Sequence, residues 1–520
     1  MTSARRWLLG ALTGLLAGAA AVLGGEAVSR ALSGTVSPIF AVGNRVVDWT
    51  PQPLKDWAIA HFGSHDKDIL VGSVIVVVAV IAALIGVLGT RRPRLATGCY
   101  VVLALVAWAA VLTDRTSTAG TLLLCLPALT VLVVGVIAYR WLWRGLDRAH
   151  ATRRPERSEA VRTAPPEGFD RRAFLEAAAA VAAVAAAGGI ARAAVGGSGA
   201  ATTRAGVRIP RPSVRARSVK PGIDVPGITP YITPNRNFYR VDTALQVPQV
   251  EDLESWRLRI HGMVDHPLEL SFADLLDRRL VEEHITLTCV SNQVGGNLVG
   301  NATWIGVPTR DLLAEAGARS GADAVKSTSV DGFTASTPLH TMTDDRGTLV
   351  AVAMNGAPLP LAHGFPARMV NPGLYGYVSA TKWLTDLEVT RFSDFKAYWT
   401  NRGYAAQAPI KLSSRIDVPR AFAHVRAGRT PVAGVAWSQH RGITKVEVSV
   451  DDGPWQAAHL SEQDDINTWR QWVWHWDATP GNHTLSVRAT DATGTTQTAT
   501  RAPVAPDGST GRQTLAVTVS

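Results

Sequence analysis

Among the side chains able to do chemistry, Cys289 stands out by its setting. It closes the run Ile285-Thr-Leu-Thr, and Gly295, Gly296 and Gly300 follow it. The β-branched run predicts a buried strand and the glycines a loop, so the thiol sits where rigid backbone meets adaptable backbone. The other two cysteines, Cys99 and Cys125, lie in apolar runs of the first third, so Cys289 has no disulfide partner in its own domain. A thiol so placed can ligate a soft metal, attack an electrophile or pack as a small hydrophobe. Other segments carry convergent polar types: Asn237-Phe-Tyr239-Arg240-Val-Asp242, Ser329-Val-Asp331-Gly, and His363-Gly-Phe-Pro-Ala-Arg368 running on through Gly376 to Thr381-Lys382-Trp383-Leu384. Arg and Lys donors with Gly-rich turns suit a cofactor that carries a phosphate, and a thiolate suits its metal. A Cys-dependent hydrolase pairing Cys289 with His340 or His363 is the competing chemistry, yet nothing near Cys289 matches a nucleophile signature.

The elements that must position these residues alternate short strands and helices from about Pro234. Strands are expected at Trp256 to His261 and Ile285 to Cys289, helices at Ser271 to Leu276 and Thr309 to Ala316, and a helix or strand at Leu349 to Met354. After Gly403 helical signals vanish. Val432 to Trp437, Lys445 to Val450, Trp472 to Trp476 and His483 to Arg488 alternate apolar and polar, with turns at Asp451-Asp-Gly453 and Pro480-Gly481-Asn482. This spacing predicts an immunoglobulin-like sandwich. Trp472, Trp474 and Trp476 share one face, expected in a core or a subunit interface.

Upstream the chain changes character. Runs from about Trp7 to Leu32, Ile69 to Leu88, Leu95 to Leu112 and Leu122 to Tyr139 each approach the ~20 apolar residues that cross a bilayer. The formal charge of +10 does not call for nucleic acid, because the arginines cluster beside these runs. Arg5 and Arg6, then Arg91, Arg92 and Arg94, then the basic stretch from Arg140 to Arg162 put both ends of the bundle in the cytoplasm, with residues 36 to 68 outside. Glu26 is expected near the interface. No histidine lies within the four runs, and His61 and His65 fall in the outer loop, so no haem is expected. The bundle is read as an anchor or a docking surface for a redox partner.

Asp170-Arg171-Arg172-Ala173-Phe174-Leu175 precedes an Ala-rich stretch to about Ala194. It has the pattern of a twin-arginine export signal placed internally, or of a fifth helix with flanking arginines. Both put the rest of the chain outside the cytoplasm. Residues 196 to 234, rich in Gly, Pro, Arg and Ser, read as a linker.

Together the Cys289 strand, the Tyr239 segment, the Ser329 segment and the block from His363 to Leu384 resemble the sulfite oxidase family of molybdopterin enzymes, from about Thr233 to the end. Hydropathy and charge give an all-α transmembrane bundle (1–145) and a basic loop with the twin-arginine pattern and a fifth segment (146–200), and the resemblance implies an α+β molybdopterin domain (201–400) and an all-β immunoglobulin-like dimerisation domain (401–520). It implies that Cys289 ligates molybdenum, that Tyr239, Arg240, Asp242 and Ser329 or Asp331 line the pterin, and that His363, Arg368, Lys382 and the backbone at Ala380 and Thr381 hold the pterin and its phosphate. Tyr404 falls on the active-site tyrosine and Arg240 on a substrate arginine.

The implied protein is a membrane-anchored, extracytoplasmic molybdenum oxidoreductase moving an oxygen atom to or from a small substrate. It would need an electron partner and could form a homodimer through its last domain. A tethered binding protein that lost the cofactor is the alternative from another class. One departure bears on substrate: where sulfite oxidases carry an arginine two residues after Cys-x-x-Asn, this chain has Val294, so sulfite is expected to be a poor substrate against a neutral sulfoxide or N-oxide. Arg501 or Arg512 is the candidate to restore that charge.

Overall fold

The protein is described by a computed structural model covering residues 3–32, 35–51, 54, 57, 66–114, 120–151, 179, 198–218 and 222–520. The twin-arginine pattern, the expected fifth segment, His61 and His65 lie outside the described residues. The chain divides into two compact units, one essentially residues 1–198 and the other most of 199–520.

In the first unit, α1 (Ser3–Ala31), α2 (Pro38–Trp49), α3 (Asp66–Gly89), α4 (Pro93–Leu112) and α5 (Thr121–Ala151) follow in order. Among the described residues, α1, α3, α4 and α5 are long and apolar enough to cross a membrane. Small residues let α1 and α3 approach closely: a Cβ on Gly14 would fall 2.0 Å from the Ala82 carbonyl, and one on Gly86 the same distance from that of Gly10. Some polar side chains inside the bundle are paired. Glu26 accepts from the Ser37 hydroxyl and lies 3.9 Å from Arg30, and Asn44 donates to Asp114 at 2.8 Å. The expected outer segment contains α2, a helix the sequence reading did not foresee.

The second unit opens with α6 (Ser198–Gly206), where a linker was expected. Its α+β part contains strands β1 (Arg257–Gly262), β2 (Leu268–Ser271), β3 (Val281–Thr288), β4 (Val299–Pro308), β5 (Ala324–Ser329), β6 (Thr334–Pro338), β7 (Leu349–Met354), β8 (Ala357–Pro358), β9 (Arg368–Val370) and β10 (Leu384–Thr390). They form two sheets, ordered β2-β1-β10-β5-β6 and β3-β4-β7-β8, with β9 on β7. Helices α7 (Phe272–Asp277), α8 (Thr309–Ala316), α9 (His340–Thr343) and α10 (Gly376–Ser379) connect them. The Ser271 hydroxyl accepts from Asp274 N–H while the Asp274 carboxylate takes the Ser271 N–H, a reciprocal cap. Leu258, Ile260, Leu275, Leu312 and Val350 pack the core, each fully buried.

The C-terminal part is all β: β11 (Ser413–Val418), β12 (His424–Val425), β13 (Gly428–Trp437), β14 (Ile443–Val450), β15 (Gln456–Ala457), β16 (His459–Leu460), β17 (Arg470–Ala478), β18 (Gly481–Asp491) and β19 (Gln513–Val519). Its sheets run β11-β13-β17-β16 and β12-β19-β18-β14-β15. The tryptophan face of β17 is core: Trp472 and Trp476 are buried and Trp474 packs beside them.

Candidate functional site

Strand β3 delivers the thiol. Its antiparallel register on β4 ends at Thr288 opposite Val299, and Cys289 N–H adds one more ladder bond to the Leu298 carbonyl at 2.9 Å. The chain then turns. Asn292 N–H donates back to the Cys289 carbonyl, Gly295 takes a φ of +77° that favours glycine, and the Asn292 side-chain oxygen accepts Leu298 N–H at 2.8 Å. Cys289 is buried, and burial pushes its thiol above the ordinary range, opposed by Ser291 donors and the Lys382 ammonium. One residue before it, the Thr288 hydroxyl is buried without a hydrogen-bond partner among the described residues.

The C-terminal part fixes this loop from outside, which the sequence reading missed. Ser509 Oγ donates to the Asn292 carbonyl at 2.7 Å and the Arg415 guanidinium to the Gly296 carbonyl at 2.9 Å. On β3 itself, the Thr286 hydroxyl accepts the Trp469 N–H at 2.8 Å, and the Gln439 amide donates to the Thr286 carbonyl. Nothing periodic marks Arg415, Ser509 or Trp469, since their partners lie more than a hundred residues away.

A cationic wall faces the thiol. Arg368 on β9 is buried over the Trp304 ring at 5.0 Å, and its guanidinium donates to the carbonyls of His363 (3.1 Å), Ala380 (3.3 Å) and Met369 (3.3 Å). Among the described residues no carboxylate pairs with it, and burial pushes its pKa down to about 10. Lys382 donates to Asp242 at 2.6 Å, and Arg240 meets the same carboxylate at 2.8 Å. His363 faces the Asn235 carbonyl through Nε2 at 3.2 Å, so that nitrogen carries the proton; burial, with Arg368 and Lys382 adding to it, pushes its pKa down to about 4 and keeps the ring neutral. Gly364 takes a φ of +109° that favours glycine, and a Cβ there would be tight, 3.1 Å from both Lys382 Cα and Arg368 Cβ.

Most predicted site residues therefore share one place. Burial raises the Tyr239 hydroxyl, with the Cys289 thiolate adding to the rise and Arg368 opposing it, so all three stand within electrostatic reach. Ser329 ends β5 opposite Leu384, and Val330 N–H bonds the Trp383 carbonyl at 2.8 Å, which holds the turn bearing Asp331 beside Lys382. Thr381 shares a 2.7 Å hydrogen bond with Ser327. Both backbone groups of Ala380 are engaged, its N–H with Gly376 and its carbonyl with Arg368. Tyr404 is buried in an apolar cluster with Val290, the residue after Cys289, and its ring meets Tyr377 and Trp399 edge-on. His340 is exposed on α9, so it cannot serve the buried thiol as a base. Arg512 lies over Trp455 at 5.2 Å and bonds the Gln497 carbonyl, within the C-terminal part, while the Arg501 side chain packs on Gly511.

Comparison with known proteins follows this geometry. Residues 244–399 match the family described as "Oxidoreductase molybdopterin binding domain". Mitochondrial sulfite oxidase of Macaca fascicularis is 32% identical over 295 residues, 48% of this chain and 53% of that protein. The "Uncharacterized oxidoreductase YuiH" of Bacillus subtilis is 35% identical over 176 residues, 33% of this chain and 85% of the relative. The chain thus spans about half the length of the mitochondrial sulfite oxidases it matches. Among solved structures, the sulfane dehydrogenase SoxCD from Paracoccus pantotrophus aligns with a TM-score of 0.48 at 24% identity, covering 58% of this chain and 87% of that one. With a buried thiol at a strand end and a family match across the surrounding domain, the chain belongs to the sulfite oxidase family of molybdopterin proteins.

Proposed function

We propose that this chain is a membrane-anchored, extracytoplasmic molybdenum oxidoreductase that transfers an oxygen atom on a small, neutral substrate. The buried Arg368 guanidinium carries the cofactor part of the reading: a cation with no carboxylate beside it among the described residues needs an anion, and a pterin phosphate supplies one. The partnerless Thr288 hydroxyl next to Cys289 likewise fits a group bound there. In this reading Cys289 ligates the metal. Tyr239, Arg240, Asp242 and Ser329 or Asp331 line the pterin, and His363, Arg368, Lys382 and the Thr381 backbone hold it with its phosphate. When bound, the cofactor supplies a two-electron centre for oxygen-atom transfer. The protein residues orient and exclude water: Arg240 and Tyr404 face the substrate, and a neutral His363, its Nε2–H held by the Asn235 carbonyl, offers an acceptor at Nδ1 without adding charge.

Substrate chemistry follows from charge. Val294 is apolar, Arg512 is engaged elsewhere, and Arg240 is partly neutralised by Asp242 at 2.8 Å. A dianion therefore finds few cations, whereas a sulfoxide or N-oxide needs only hydrogen-bond donors. Reduction takes up two electrons and two protons and leaves the sulfide or amine plus water. A second reading, sulfite oxidation to sulfate with water as the oxygen source, is favoured by Arg240 and by the names of the relatives. The four apolar helices support anchoring, and the arginine pattern supports an outward catalytic part served by a separate electron carrier. We also read the C-terminal sheets as an immunoglobulin-like sandwich able to dimerise.

Purified full-length protein from a host that makes the cofactor should contain about one molybdenum per chain. Kinetics against dimethyl sulfoxide with a reduced viologen, and against sulfite with an oxidising dye, decide the substrate: efficient turnover at micromolar sulfite overturns the neutral-substrate reading.

A further inference from the structure

Tyr375 was not singled out by its sequence context, yet it is pressed into the site. It precedes α10 in extended conformation, and its N–H donates to the Ala408 carbonyl at 2.9 Å. The ring is 3% exposed and shares an apolar cluster with Val290 and Tyr404, so it packs beside the residue after Cys289. The next residue closes on the same strand end: a Cβ on Gly376 would lie 3.8 Å from the Thr288 carbonyl and 3.9 Å from the Tyr239 hydroxyl.

Its hydroxyl is held from the other side by the C-terminal part. Lys411 N–H donates to the phenol oxygen at 3.3 Å, and Gly508, at φ +104°, brings bare backbone so close that a Cβ there would fall 2.4 Å from that oxygen. The phenol oxygen thus accepts a hydrogen bond, while among the described residues no acceptor takes its proton. A buried donor without an acceptor is costly, and an acceptor that arrives with a ligand is one way a folded protein meets that cost. Burial pushes this hydroxyl up, with the Asp507 carboxylate and then the Cys289 thiolate adding to the rise and the Lys411 N–H opposing it, and the group stays protonated at neutral pH.

We propose that Tyr375 is a second substrate-contacting hydroxyl at the Cys289 site, donating a hydrogen bond to the oxygen atom that is transferred. This rests on the oxidoreductase reading above but not on which substrate is correct, since sulfoxides, N-oxides and sulfite all present an oxygen acceptor. Its role complements the loss of charge at Val294: a neutral donor recognises a neutral oxygen without requiring an anion.

The test uses the full-length, molybdenum-loaded protein and Tyr375→Phe, which removes the hydroxyl and keeps the ring. Molybdenum content and the thermal midpoint should stay near wild type. Dimethyl sulfone, which offers the same oxygen without being reduced, should bind about 3- to 10-fold more weakly by calorimetry, the loss of one neutral hydrogen bond. With whichever of dimethyl sulfoxide or sulfite the wild type turns over, kcat/KM should fall at least as far. Incorporation of 3-fluorotyrosine at position 375 keeps the ring and sharpens the donor, so binding should recover, and this holds the test open should the Phe variant fold poorly. Wild-type sulfone binding and kcat/KM in Tyr375→Phe overturn the assignment, as does a lowered thermal midpoint with unchanged sulfone affinity, which would make the hydroxyl only an anchor for Lys411. Wild-type protein that carries no molybdenum sinks the oxidoreductase reading together with this one, whereas loaded protein with a fully active Phe variant sinks this one alone.

Discussion

Cys289→Ser exchanges a soft sulfur for a hard oxygen of nearly the same size, so the domain should fold while turnover is abolished. Retained activity in a purified, loaded variant would take Cys289 off the metal. Val294→Arg tests the substrate argument from the opposite direction. A charge-assisted hydrogen bond is worth roughly 1.5 to 3 kcal/mol, so sulfite use should improve by about 10 to 150 fold, read as the sulfite KM. His363 makes a pH prediction. Its folded pKa of about 4 lies below the unfolded value of 6.5, so the unfolded chain binds the extra proton first. The stability from a neutral His363 is complete above pH 6.5 and is lost as pH falls toward 4, in all about 3 kcal/mol at most. His363→Gln should flatten that slope in thermal melts across the same window. The reactive residues were legible because their types and order are unusual together. The Thr288 hydroxyl and Tyr375 were not, because what distinguishes them is the lack of a partner for the Thr288 hydroxyl and for the Tyr375 proton, and a lack leaves no mark in sequence.

Single elements were read well where local chemistry is self-contained. Helix α8 spans Thr309–Ala316 as expected, and Ser271 caps α7 through Asp274 as its sequence suggests. Among the helices missed were α2, which begins at Pro38 in a segment with few apolar repeats, and α6, whose Ser198-Gly-Ala-Ala-Thr-Thr composition reads as linker, besides the single turns α9 and α10. Strand β3 shows the limit of local reading. Its existence is written in Ile285 to Thr288, but its grip is not, because Thr286 is held by Trp469 and Gln439 from the far end of the chain. Thr286→Val keeps the shape and leaves the buried Trp469 N–H unmatched, which should cost about 1 to 3 kcal/mol. Denaturant unfolding should show that loss, and activity should decline with it because β3 carries Cys289.

At the scale of the whole molecule, the export reading is testable although its residues lie outside the described ones. Arg171→Lys with Arg172→Lys preserves the positive charge and should leave the catalytic part inaccessible to external protease; a correctly placed, accessible domain in that variant would favour a plain fifth helix. The contact of Ser509 with the Asn292 carbonyl also sets an order of events. The loop that shapes the reactive thiol takes one of its supports from a residue 217 positions downstream, so β3 is synthesised well before that support exists. A nascent chain can therefore form the strand but not the finished cradle. Any group that needs the finished cradle would then be seated only after the C-terminal part has been made and has packed onto the loop.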